Sequence, residues 1–78
     1  MSSKKVDVTL HIDEETTHED REDLFVTLLG MPGVKTASCR DKHQHLMVIE
    51  YDPDRINPKE FVVAAEHRGY HSELIGML

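Results

Sequence analysis

The sequence is poor in the residues that build disulfides, thiolate metal sites or membrane spans. It has one cysteine, Cys39, no tryptophan and 5% aromatic residues. A single thiol cannot form an internal disulfide framework or a cysteine-based zinc site. No apolar run approaches the roughly 18 residues of a membrane-spanning helix, and no apolar segment follows the charged N-terminus as a secretory signal would require. These absences predict a cytoplasmic protein without membrane insertion.

Positive charge is also scarce. Lysine and arginine number 9 against 15 acidic residues, which gives a net charge of −6. A nucleic acid would require a basic face, so we expect no nucleic-acid partner. The charge is concentrated in an acidic loop, residues 11–23, with seven acidic side chains and one basic side chain, Arg21. This segment is either the solvated start of a helix, where the helix dipole favours acids, or a surface for a cation or a basic partner.

The 78 residues allow one domain, which we place over residues 1–78 with residues 1–4 as a flexible N-terminus. Apolar and polar side chains alternate over residues 6–12, which is typical of a strand with one buried face. Three further strands are predicted over residues 34–40, 46–51 and 70–77. A polar hairpin, residues 41–45, is expected between the second strand and the third.

Two helices are predicted between these strands. The first begins at Thr16 or Thr17, because each is followed three residues later by an acid that can complete a capping box. The second begins after Asn57, with a proline in the favoured first position, and ends at Gly69. Each helix has one apolar stripe: Leu24, Phe25, Leu28 and Leu29 in the first, and Phe61, Val62, Ala64 and Ala65 in the second.

The order βαββαβ is typical of an α+β, ferredoxin-like sandwich with both helices on one face of an antiparallel sheet. Right-handed crossovers give the strand order 4-1-3-2. Leu46 and Val48 are expected on the opposite, open face of the sheet. The periodicity predicts a core of Val6, Val8, Leu10, Ile12, Leu24, Leu28, Ile49, Phe61 and Ala65.

Three short motifs resemble the heavy-metal-associated (HMA) domains of copper chaperones and metal-transporting ATPases. They are Met31-Pro32-Gly33-Val34, Tyr51-Asp52-Pro53 and Gly69-Tyr70. The motifs occur in the order and at the separations of that family, and the resemblance covers nearly the whole chain. It implies the same fold and a role in metal handling.

The resemblance does not extend to the family's metal motif, Gly-Met-x-Cys-x-x-Cys, in the loop after the first strand. An ungapped alignment of residues 12–32 puts Thr17 and Asp20 at the positions of the two cysteines. A hydroxyl and a carboxylate do not replace the soft thiolates that hold Cu(I) in that loop. Cys39 is expected mid-strand, away from the loop, as a small buried residue. The sequence therefore predicts a degenerate metal site that is unsuited to Cu(I).

The chain is rich in histidine, with six residues. In the predicted topology all of them collect at the end of the sandwich that carries the acidic loop: His11, His18, His43, His45, His67 and His71. Imidazole and carboxylate ligands suit a divalent ion such as Zn, Ni or Cu(II). The expected metal ligands are His18 and Asp20 from the family's loop, with His11 and His71 nearby by topology. The alternatives are solvated histidines without a ligand role and a pH-sensitive contact surface.

Two functions stay open. The first is metal ion binding or handling at a cysteine-free site of His, Asp and Glu ligands. The second is a metal-free protein-interaction or regulatory module that kept the HMA fold, as a monomer or weak homodimer. Its partner would dock on the acidic end (Glu19, Asp20, Glu22 and Asp23) or on the open sheet face (Leu46 and Val48). An enzyme is not expected, because the sequence has no nucleophile–base motif and no phosphate-binding glycine loop.

Overall fold

Six elements follow one another in the order β1-α1-β2-β3-α2-β4. The computed structural model describes residues 5–40 and 42–75. The elements are β1 (Val6–Ile12), α1 (His18–Leu29), β2 (Val34–Arg40), β3 (His43–Tyr51), α2 (Lys59–Glu66) and β4 (Ser72–Ile75). Neither helix in this part of the chain is long and apolar enough to cross a membrane. The expected flexible N-terminus, residues 1–4, and the predicted end of the fourth strand, residues 76–77, lie outside the described residues.

The four strands form one antiparallel sheet of order β2-β3-β1-β4, which is the predicted order 4-1-3-2 in reverse. β1 and β3 keep one register from Val6↔Tyr51 to His11↔Leu46. β4 pairs with the other side of β1, ending at Ile12↔Ser72. The ferredoxin-like sandwich, with both helices over the same face of the sheet, is confirmed.

The core lies between the sheet and the helices, and it contains every predicted core residue except Val6, which is half-buried. It also takes in Met47, Tyr51 and Ile56, which were absent from the predicted set. Tyr51 meets Phe61 edge to face, with ring centroids 5.3 Å apart. Ile56 follows a strand in a turn, where neither helix nor strand periodicity marks a buried residue. Each large apolar side chain buried here contributes about 2 kcal/mol from the area removed from water.

The N-terminal cap of α1 follows the sequence. Thr17 Oγ1 accepts the N–H of Asp20, and Asp20 Oδ2 accepts the N–H of Thr17, each at 3.1 Å. This reciprocal box stabilises the start of α1 by about 1 kcal/mol. At α2, Pro58 is the N-cap rather than the first helical residue, and Asn57 Oδ1 accepts the N–H of Lys59 at 2.9 Å.

Four details of the prediction were wrong. α2 ends at Glu66 rather than at Gly69, and residues 67–69 form a turn after it. β3 begins at His43 rather than Leu46, so the hairpin predicted over residues 41–45 shortens and two histidines become strand residues. Strand pairing overrides side-chain polarity there, since Arg40 pairs with His43 and His11 with Leu46. β4 begins at Ser72 rather than Tyr70. Leu29, expected on the buried stripe of α1, is 40% exposed at the last turn of the helix.

Candidate functional site at the histidine-rich end

Three connections meet at one end of the sandwich. They are the β1–α1 loop (residues 13–17), the β2–β3 turn and the α2–β4 link (residues 67–71). Because β1 and β2 run towards this end while β3 and β4 start from it, all six histidines lie in these connections or at the element ends that they join. We call it the histidine-rich end. The gathering that the topology predicted is therefore present.

A carboxylate clamp fastens the β1–α1 loop to the start of β4. Glu14 Oε1 accepts a hydrogen bond from the backbone N–H of His71 at 2.7 Å. Glu14 Oε2 accepts a second hydrogen bond, from the ring Nδ1 of His71, at 2.6 Å. The side-chain hydrogen bond raises the pKa of His71 and lowers that of Glu14. The N–H of Asp13 donates to the carbonyl of His71 at 2.8 Å. The loop is thus held by main-chain and side-chain bonds, while the His71 ring stays 81% exposed.

A pair of stacked imidazoles lies beside this clamp. His45 Nδ1 is 2.7 Å from the carbonyl oxygen of Ile12. A carbonyl can only accept, so Nδ1 carries the proton and Nε2 of the neutral ring keeps its lone pair. The His11 ring stacks on His45 with centroids 5.9 Å apart and planes 20° from parallel. His11 Nδ1 is 3.4 Å from Asp13 Oδ1, an ion-pair contact without hydrogen-bond geometry.

A buried arginine supports the loop from below. Arg21 is 3% exposed, and its Nη1 donates to the carbonyl of Thr16 at 2.9 Å and to Thr16 Oγ1 at 3.3 Å. Thr16 Oγ1 donates in turn to the carbonyl of Gln44 in β3 at 3.0 Å. This relay joins α1, the loop and β3. Sequence reasoning missed it, although Arg21 precedes Leu24 and Leu28 by three and seven residues and so shares their buried stripe.

The two predicted ligands at the start of α1 already have partners. His18 Nε2 lies 3.0 Å from Glu22 Oε1, one turn along the helix. Asp20 closes the capping box, and the backbone hydrogen bond from Thr17 lowers its pKa. The nearby Tyr70 hydroxyl lowers that pKa further. Thr17 and Asp20, the residues aligned with the family's cysteines, therefore bond to each other.

The structure distributes the four predicted ligands over separate contacts. His11 faces Asp13, His18 faces Glu22, Asp20 bonds Thr17 and His71 bonds Glu14. Within residues 5–40 and 42–75, no three His, Cys, Asp or Glu side chains are arranged to hold a metal ion. The predicted ligand set is thus not a preassembled cage. His45, which was outside that set, is the histidine that His11 contacts.

Two hollows flank α1. Between α1 and β2, a crevice of about 280 Å³ is lined by residues that include His18, Glu22 and the half-buried Cys39. Cys39 therefore lines a crevice beside α1, and no residue of the β1–α1 loop lines that crevice. Between α1 and α2 lies a groove of about 680 Å³. Its lining includes three apolar residues, Met31, Val63 and Ala64, and three acidic residues, Asp20, Asp23 and Glu60.

One basic side chain, Arg68, also lines the groove between the helices. Arg68 binds the carboxylate of Asp23 and donates to Thr27 Oγ1 at 2.5 Å. Asp23 is therefore neutralised locally, and the acidic surface of α1 is less uniform than its sequence suggests.

Comparison with known proteins leads to solved structures alone. No family model matches the sequence, and no curated protein matches it. A copper-binding domain from HMA7, a P-type ATPase, is similar with a TM-score of 0.82 and 17% identity, covering 92% of this chain and 96% of that one. Oxidised MerP from Ralstonia metallidurans CH34 gives the same TM-score, 0.82, and 17% identity over 92% and 99% of the two chains.

A copper form of CopA from Bacillus subtilis is similar with a TM-score of 0.78 and 22% identity, over 97% of this chain and 99% of that one. At such identities the likeness establishes the fold. The chain therefore has the HMA-type fold that the resemblance implied, over nearly its whole described length.

Proposed function

We propose that this protein handles divalent metal ions by binding them through imidazole at the histidine-rich end. Residues 1–78 act in this proposal as one HMA-like domain, in the cytoplasm and without a catalytic role. Two of the similar structures, the HMA7 domain and CopA, are described as containing or binding copper. That likeness supports a metal-handling role, and the donors of this chain decide the kind of metal.

One observation carries the proposal: two imidazoles are held in the orientation that metal ligands use. His45 and His71 each donate Nδ1–H to an oxygen, that of Ile12 at 2.7 Å and that of Glu14 at 2.6 Å. Metal-ligating histidines commonly donate their other ring N–H to a carbonyl or carboxylate, which fixes the tautomer and makes the ligating nitrogen more basic. In both rings, Nε2 is the nitrogen left for a ligand.

In this proposal, binding draws His45 and His71 together around one ion. His45 contacts Ile12 from the β3 side, and Ser72, the neighbour of His71, pairs with Ile12 from the β4 side. β3 and β4 lie on either side of β1, two strand spacings or about 10 Å apart. Two imidazoles with metal–nitrogen bonds of about 2 Å can span that separation. His11, stacked on His45, is the nearest third ligand, and water would complete the shell.

The donor set favours Zn, Ni or Cu(II). Imidazole and carboxylate are borderline and hard ligands, which these ions accept. Cu(I) prefers thiolates, and the sequence has a single cysteine, Cys39. We therefore propose a divalent ion, and we place His18 and Asp20 outside the ligand set because the helix start already uses them.

Titration of the tag-free protein with Zn, Ni and Cu(II), each alone, tests this function. The imidazole NMR signals of all six histidines report the ligands. We expect saturable changes confined to His11, His45 and His71 at micromolar metal. The variant His45→Ala with His71→Ala should lose them, while the matched control His67→Ala, exposed at the same end, should keep them. The absence of any saturable change would refute metal handling. Changes confined to His18 would instead place the metal site at the start of α1.

A second candidate function is docking of a basic partner on the outer surface of α1. A shallow depression there is lined by Glu19, Asp20, Glu22, Asp23 and the 66% exposed Val26. Opposite charge accelerates association and orients a partner. Glu19→Lys with Glu22→Lys should abolish the salt-dependent binding of a lysine-rich helical peptide. Unchanged binding would exclude this surface.

The open sheet face is the other proposed docking surface. Val48 is 40% exposed and Leu46 is half-buried there. Sedimentation at several concentrations, comparing the protein with Val48→Asp, tests whether this face forms a weak homodimer. A strict monomer at high concentration would exclude that version.

A further inference from the structure

The β2 edge, which we define as residues 36–39, is the more open of the two sheet edges. β2 has seven residues and β4, at the other edge, has four. The register with β3 is regular from Thr36 to Cys39, and its irregularities lie beyond these two residues. No strand of residues 5–40 and 42–75 pairs with the outer side of β2. Its outward N–H and C=O groups are therefore available to a further strand.

A crevice lies beside this edge on each face of the sheet. On the helix face, Phe25, Ala37 and Cys39 contribute to the crevice of about 280 Å³ under α1. On the open face, a crevice of about 380 Å³ is lined by residues that include Ser38 and Val48. Successive side chains of a strand point to opposite faces, so an added strand would direct alternate side chains into the two crevices. Peptide recognition by strand addition combines such pockets with main-chain hydrogen bonds.

Charge selects the occupant of this edge. Lys35 and Lys42 are exposed before and after residues 36–39, and neither has an ion-pair partner among the described residues. In a second copy paired antiparallel over residues 36–39, each Lys35 would lie opposite position 40 of the other copy, which is an arginine. Like charges opposite each other oppose self-pairing. A foreign segment with acidic ends is complementary to both lysines.

We infer that the β2 edge is a docking site for an extended segment of a partner protein, about seven residues long, with an acidic residue at each end and small apolar side chains alternating between. The segment pairs with Thr36–Cys39 by main-chain hydrogen bonds and fills the two crevices. This surface is separate from the imidazoles of the proposed metal site, so neither proposal depends on the other.

A blocked peptide of sequence Glu-Val-Thr-Val-Thr-Val-Glu is the probe. Added to the full chain at low salt, it should shift the amide NMR signals of residues 36–39 saturably and slow their hydrogen exchange. It should bind about tenfold more tightly than the same peptide with lysine at both ends. The peptide methylated at alternate main-chain nitrogens should not bind, because it lacks the donors for strand pairing.

A charge-swapped protein tests the selectivity without altering the core. Lys35→Glu with Lys42→Glu changes two exposed side chains and should reverse the preference in favour of the lysine-ended peptide. An unchanged preference, shifts at β4 or in the groove between the helices, or no saturable shift would overturn the inference. Protection of residues 36–39 in a peptide-free dimer, detected by sedimentation, would assign the edge to a second copy and also overturn it.

Discussion

The two ends of the sandwich are held together by different means. At the lower end, residues 30–33 and 52–58, main-chain contacts dominate: the N–H of Asp52 donates to the carbonyl of Gly33 at 2.8 Å, and those of Arg55 and Ile56 donate to the carbonyl of Asp52. At the histidine-rich end, the contacts come largely from side chains distant in sequence, such as Glu14 with His71 and Thr16 with Gln44.

This difference explains where the sequence resembles HMA domains and where it does not. Two of the motifs that carry the resemblance, around Gly33 and around Asp52, lie at the lower end. Main-chain geometry there demands particular residues, because Gly33 has a φ of 95° and packs against Ile56. The third motif, Gly69-Tyr70, lies at the histidine-rich end, but residues that tie its connections together, such as Glu14 and His71, lie outside all three motifs. The fold thus constrains one end and leaves the other to the chemistry of the individual chain.

The largest expected effect comes from a core residue that belongs to neither end. Leu28 is fully buried on α1, so Leu28→Ala removes contacts and leaves a cavity. We expect a loss of about 2–4 kcal/mol in the free energy of unfolding, measured by urea denaturation. A loss below about half a kcal/mol would mean that α1 faces the wrong way.

The next effect separates the two ends through their glycines. Gly33→Ala places a Cβ 3.0 Å from Arg55 Cβ and Ile56 Cγ2 at a φ of 95°, so we expect a loss of about 2 kcal/mol. Gly69→Ala at the histidine-rich end has a φ of 87° but no atom within 4 Å of the added Cβ, so only backbone strain of about 1 kcal/mol applies. Urea denaturation compares the pair. Equal losses would contradict the tighter packing of the lower end.

A third substitution breaks the hydrogen bonds that link Arg21, Thr16 and Gln44 at the histidine-rich end. Thr16→Val keeps the side-chain shape but removes the hydroxyl that donates to Gln44 and accepts from Arg21. We expect a loss of about 1 kcal/mol and faster hydrogen exchange around the loop, with the lower end unchanged. The control Thr17→Val breaks the helix cap without touching the relay. The same exchange pattern in both variants would show that the relay has no separate role.

The smallest effect is a pH dependence of the clamp. The lowered pKa of Glu14 gives stability that is complete above its ordinary value of 4.5 and is lost as pH falls through the lowered value. The raised pKa of His71 gives stability that is complete below its ordinary value of 6.5 and is lost as pH rises through the raised value. The difference in stability between the protein and the Glu14→Gln variant should therefore be largest between pH 4.5 and 6.5.

Thermal unfolding at a series of pH values measures this window. Glu15→Gln is the matched control, because Glu15 is an exposed neighbour on the same loop. A difference curve for Glu15→Gln that matches the Glu14→Gln curve would assign the effect to net charge. The clamp would then have no specific part in it.

The sequence allowed the fold to be predicted well because its signals are local. Strand alternation, the capping acids and the turn residues each act within a few positions, and they place Val8, Leu24 and Phe61 in the core. The burial of Ile56 was not predicted, because it depends on packing against Gly33, which is far away in sequence. The start of β3 at His43 was not predicted for a similar reason, because it depends on pairing with β1 and β2.

The candidate site could be predicted only in its location. Topology alone gathers the histidines, but hydrogen bonds over tens of residues decide what each ring contacts. Glu14 reaches His71 across 57 positions, and His45 reaches Ile12 across 33. No periodicity encodes such a choice of partner. Sequence reasoning therefore named His18, Asp20, His11 and His71, and it could not show that His18 and Asp20 bond to their neighbours at the start of α1 or that His45 bonds to Ile12.

Arg21 gives the acidic loop an internal counter-ion. Its guanidinium is buried, so dissolved salt does not screen its contacts with Thr16 as it screens charges on the surface. Raising the ionic strength should then weaken attraction between this end and a basic molecule while leaving the shape of the loop intact. The contacts of Arg21 with Thr16 and long-range attraction at this end are thus separable properties, because ionic strength acts on the second and not on the first.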